Sequence, residues 1–129
     1  GNYPAYLETL TRERVRWHAV DSMFTRDLAD TLHVVAFVAS QGVLQGVSVV
    51  HTHAAIPSQV AFLLRGLAGR HIPVVQTMHG WGVTKTGSQQ RSDVALLDMV
   101  DRLVVPAPSS TTVLRTAGVR RPQISVVPY

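Results

Sequence analysis

The chain is 129 residues long, 46% apolar and 16% charged, with no cysteine and a formal net charge of +4; this is enough for one domain with a real core, and too apolar for a disordered chain. The absence of cysteine excludes disulfides and thiolate metal sites and suits a cytoplasmic protein, while the longest apolar run, Val34 to Ala39, is far short of the roughly 20 residues of a membrane span. The arginines are scattered rather than gathered into a basic run interleaved with aromatics, so nucleic acid is not an expected partner, and a mildly basic surface suits phosphate groups or anionic lipid headgroups equally.

Tyr6, Leu7 and Leu10 fall at helical spacing behind Pro4, a suitable first-turn residue, and predict a first helix. "VRWHAV", residues 15–20, sets Val15, Trp17 and Ala19 on one face and Arg16, His18 and Val20 on the other, the period of a strand near a sheet edge. Between Thr25 and Gln41 the stripe Leu28, Leu32, Val35, Ala36 and Ala39 predicts a well-covered helix that Gly42 ends. "VSVV", residues 47–50, is a β-branched run fit for a strand buried on both faces.

Val60, Leu63, Leu64, Leu67 and Ala68 then mark an amphipathic helix with Pro57 and Ser58 in its first turn. "PVVQTM", residues 73–78, reads as a strand and leads into the Gly-rich "HGWGVTKTG". Leu96, Met99, Val100 and Leu103 mark a further helical face running into the strand "LVVP". "SSTTVLRTAG" is a short helix opened at Ser109 or Ser110 and closed by Gly118, and "ISVVP" is the last strand.

Strands separated by helices of this length predict βαβ units, hence an α/β fold with a parallel sheet and helices on both faces. Ligands in such folds sit beyond the C-terminal ends of the strands, where His51, His53 and His79 fall. His51 and His53, two apart, could share a metal with His79 as third ligand, as in a metal-dependent hydrolase. Packing and helix capping are the competing readings, and a non-catalytic binding module is a third. His51, directly after Val50, is read as structural, as are His18 and His33; His53 is read as a binding residue, and no metal ligand is expected. Asp93, Asp98 and Asp101 are assigned to a helix and its end, away from the loops after strands. In "HGWGVTKTGS", Gly80, Gly82 and Gly87 are expected to give the backbone positive φ and close approach to a ligand, and Lys85 to supply a cation.

"VVHTHAAIPSQVAFLLRGLAGRHIPVVQTMHGWG" and "DRLVVPAPSSTTVLRTAGVRRPQISVVPY" together resemble the N-terminal domain of retaining, GT-B-fold glycosyltransferases of family 4. The shared features are a strand ending in His-x-His, "GRHIPVV", "TMHG", and a closing strand where Tyr129 stands in place of the family's usual Asn. The resemblance implies a Rossmann-like half of a GT-B enzyme. It implies that His53 and His79 are catalytic-cleft residues, and that Gly80, Trp81, Gly82 and Lys85 bind substrate. Lys85 matches the spacing of a lysine that contacts the acceptor in sucrose-phosphate synthase-like members. On this resemblance residues 1–129 are expected to be a single, partial acceptor-side domain, inactive alone. The chain itself would need no cofactor, because the nucleotide-sugar donor would bind mainly to a second, C-terminal domain. The expected partners are a sugar or glycolipid acceptor, with peripheral contact at the inner membrane face and self-association through open sheet edges.

Overall fold

In the computed structural model, residues 4–20 and 26–128 are described. In chain order the elements are α1 (Pro4–Arg12), α2 (Leu28–Ser40), β1 (Val50–Thr52), α3 (Ala55–Ala68), β2 (Val74–Thr77), α4 (Gly87–Leu97), β3 (Arg102–Val105), α5 (Pro108–Ala117) and β4 (Gln123–Val126). The four strands form one parallel sheet in the order β1-β2-β3-β4, with Thr52 opposite Gln76, Gln76 opposite Leu103 and Leu103 opposite Ile124. The parallel, Rossmann-like α/β winding that the spacing predicts is therefore the observed one, with α3, α4 and α5 all against a single sheet face.

The core follows from that register. Val74, Leu103 and Val105 share one sheet face and pack with Ala61 of α3, Leu97 of α4 and Leu114 of α5. The Val and Leu side chains among these are essentially sealed from water, and each contributes roughly 1.5–3 kcal/mol by burial. A smaller cluster joins Val34 and Val35 of α2 to Val60 and Leu64 of α3. Helix ends obey local rules: Gly42, just past α2, and Gly118, the C-cap of α5, both take positive φ. Thr86 and Gln89 form a reciprocal capping box at the start of α4.

Four expectations need correction. "VRWHAV" pairs with no strand in the described residues. A strand exists only through a neighbour's ladder, and here Arg14 turns the chain at φ 57 while the Trp17 indole N–H donates to Thr11 Oγ1 at 3.1 Å. The strand expected at 47–50 instead runs over Val50–Thr52, because the Val50 N–H donates to Pro73 O and the register is set by Val74. It is not buried on both faces, since His51 is exposed. The helix expected around 96–103 lies earlier, at Gly87–Leu97, because the Thr86 capping box starts it well before its apolar residues. Finally, α2 is covered only along Thr31, Val34 and Val35, and Leu28 and Leu32 face outward.

Candidate functional site

β1 and β2 are parallel neighbours, so the segments leaving their C-terminal ends rise side by side. His53 lies one residue past β1 and His79 two past β2. Their rings face each other at 5.3 Å with planes 15° apart, and His53 Nδ1 lies 3.0 Å from His79 Nε2. One of these nitrogens must carry the shared proton. The neighbouring His51 ring is 4.6 Å from that of His53, and its Nε2 is 2.8 Å from Thr77 Oγ1. The exposed His51 is thus tied to β2 by the hydroxyl of the buried Thr77 rather than sunk in the core. Partial desolvation, then the neighbouring charges of His51 and His79, lower the His53 pKa below its ordinary 6.5.

A buried polar chain fixes the floor beneath this pair. Thr52 Oγ1 and Ser58 Oγ are 2.5 Å apart, Ser58 Oγ donates to Gln76 Oε1 at 2.6 Å, and Gln76 Nε2 donates to Met78 Sδ at 2.8 Å. These bonds join β1, the first turn of α3 and the exit from β2. They leave little freedom to the backbone that carries His53 and His79.

The loop from His79 to Thr86 closes the other side. The glycines of the loop and of the helix start after it do not work as the sequence suggests, because Gly80, Gly82 and Gly87 do not take positive φ. The space beside Gly82 is filled by the Lys85 side chain, whose Cε would lie 3.5 Å from an added Cβ, and Gly87 is the first residue of α4. Lys85 Nζ sits 3.8 Å above the Trp81 ring and 2.7 Å from Asp93 Oδ2. Asp93 Oδ1 accepts from Arg26 Nη2 at 2.8 Å.

Asp93 is therefore not a remote helix carboxylate. With its side chain 2% exposed, it links α4, the loop after β2 and the residue leading into α2. Its position four before Leu97, on the buried stripe of α4, is the signal that sequence reasoning could have used. Nothing local marks Arg26.

A cavity of about 290 Å³ is lined by Arg26, His53, His79, Gly80, Lys85 and Asp93, among others. It gathers His53, His79, Gly80, Gly82 and Lys85, whereas Trp81 lies beneath Lys85 and lines a separate small cavity with Ser109 and Ser110. Asp98 and Asp101 are spent on the fold. Asp98 Oδ1 accepts from the backbone N–H groups of Arg120 and Arg121, and Asp101 Oδ2 from that of Val74. Among the described residues no three of His, Asp or Glu are arranged to hold a metal ion.

A sequence profile of Glycosyltransferase Family 4 matches residues 2–129. No curated protein matches the chain. A match over nearly the full length, on a parallel α/β sheet with its polar cavity at the strand C-termini, means that the chain belongs to Glycosyltransferase Family 4.

Proposed function

We propose that this chain is the N-terminal, acceptor-side part of a retaining glycosyltransferase of GT-B architecture, and that its cavity receives the sugar or lipid-linked acceptor. The observation that carries this reading is the His53–His79 pair at the ends of two adjacent parallel strands in a family 4 chain. Family membership favours glycosyl transfer over a metal-dependent hydrolase built on His51, His53 and His79. In this reading His53 and His79 orient the acceptor hydroxyl and meet charge that develops at the reacting centre. Gly80, Gly82 and Lys85 border the bound acceptor, and Trp81 supports Lys85 from below.

The donor, a nucleotide sugar, is held mainly by a second domain, and this chain alone does not turn it over. The setting is cytoplasmic, with peripheral contact at the inner membrane face; among the described residues no helix is long and apolar enough to cross a membrane. Calorimetry and a coupled nucleotide-release assay on the protein with a panel of nucleotide sugars test the division of labour. Negligible binding and no released nucleotide are expected. Tight binding with turnover by this chain would overturn the assignment to the acceptor side.

A further inference from the structure

Besides the two histidines, the cavity lining carries more positive charge than a neutral acceptor requires. Asp93 is a single carboxylate, sealed from water, between the Arg26 guanidinium at 2.8 Å and the Lys85 ammonium at 2.7 Å, so the trio keeps one positive charge in excess. A guanidinium offers five N–H donors and an ammonium three, and the bonds to Asp93 occupy one of each. Both side chains still reach solvent, 37% and 20% exposed, and both line the cavity. The carboxylate therefore acts as a clamp that fixes two cations side by side with donors left over.

The backbone adds to this field. Ala54, Ala55 and Ile56 line the same cavity at the start of the 14-residue α3, whose N-cap Ala54 supplies no side-chain hydrogen bond. With Pro57 lacking an N–H, the Ala55 and Ile56 amides are the helix donors nearest the cavity, at the positive end of the helix dipole.

We propose that Arg26, Lys85 and the first turn of α3 form an anion subsite that holds a phosphate monoester of the acceptor, while His53 and His79 meet its hydroxyl groups. A phosphate monoester carries about −1.5 to −2 charge and three acceptor oxygens at neutral pH, which matches two cations and two amides better than a carboxylate does. The inference rests on the acceptor-side reading above and narrows its substrate class to phosphorylated sugars or polyols. Asp93 is a positioning residue here, since it touches the two cations and not the acceptor.

Isothermal titration with glucose 6-phosphate, mannose 6-phosphate and glycerol 3-phosphate, each against its unphosphorylated parent and against inorganic phosphate, tests the subsite. The histidine ring resonances are followed alongside. At least one phosphate ester is expected to bind roughly tenfold or more tighter than both its parent and inorganic phosphate, to weaken with salt, and to shift the His53 and His79 resonances. Arg26→Gln and Lys85→Met should each weaken it by roughly tenfold; the wild-type comparison stands whether or not these variants fold. A parent sugar binding as tightly as its ester while shifting the same histidines would overturn the anion subsite and leave the acceptor-side reading standing. Inorganic phosphate binding as tightly as every ester would overturn it as an acceptor site. Silence of both histidines toward every sugar and ester would overturn both readings.

Discussion

His53 is the residue whose chemistry the site shapes most. Its lowered pKa means that the unfolded chain takes up a proton near pH 6.5 that the folded chain refuses. Stability is thus unaffected by this group above that pH, falls as pH drops from 6.5 to the folded pKa, and levels below it. An NMR titration should place His53 below a free histidine, and His53→Asn should remove that part of the acid sensitivity. At Asp93 the expected effect is larger. Asp93→Asn leaves two cations facing each other, and urea unfolding should show a loss approaching, but below, the roughly 3–5 kcal/mol of a fully buried broken pair, since Arg26 and Lys85 reach water. The histidines were legible in the sequence because they follow strand-like runs. Asp93 was not, because its partners lie 8 residues before it and 67 residues away in the chain, and nothing local fixes such a pairing.

The elements show why some boundaries could be read and others not. Gly118 ends α5 where the sequence suggests, because a left-handed C-cap is a local requirement that glycine meets without strain. The start of α4 was equally local, in Thr86 and Gln89, but it was hidden inside a loop whose glycines draw attention to the backbone. Thr86→Ala should cost about 1 kcal/mol by loss of the cap, measured by denaturant unfolding, and should loosen Lys85 next to it. "VRWHAV" has the period of a strand without the partner. Periodicity reports which side chains could share a face, and only a neighbouring ladder turns that into a strand.

Over the whole molecule, the order β1-β2-β3-β4 leaves β1 and β4 as edges of the described sheet. An apolar groove of about 710 Å³ runs along β1 between α2 and α3, lined by Val38, Leu44, Val49, Val60 and Leu64 with His51 and His53 at one end. Open strand edges beside apolar surface favour pairing with another chain. Sedimentation velocity should therefore show mass increasing with protein concentration; a monomer throughout would count against edge pairing. The parallel sheet was legible because alternating strands and helices admit few topologies, whereas the cavity depends on the loops those strands hold up. The most direct test of the central claim is a histidine-resolved NMR titration with a library of saccharide, polyol and sugar-phosphate acceptors, beside nucleotide sugars. At least one acceptor is expected to shift His53 and His79 together and saturably, while nucleotide sugars leave them in place. Saturable shifts of both histidines by a nucleotide sugar, with none from any acceptor, would contradict the acceptor-site reading.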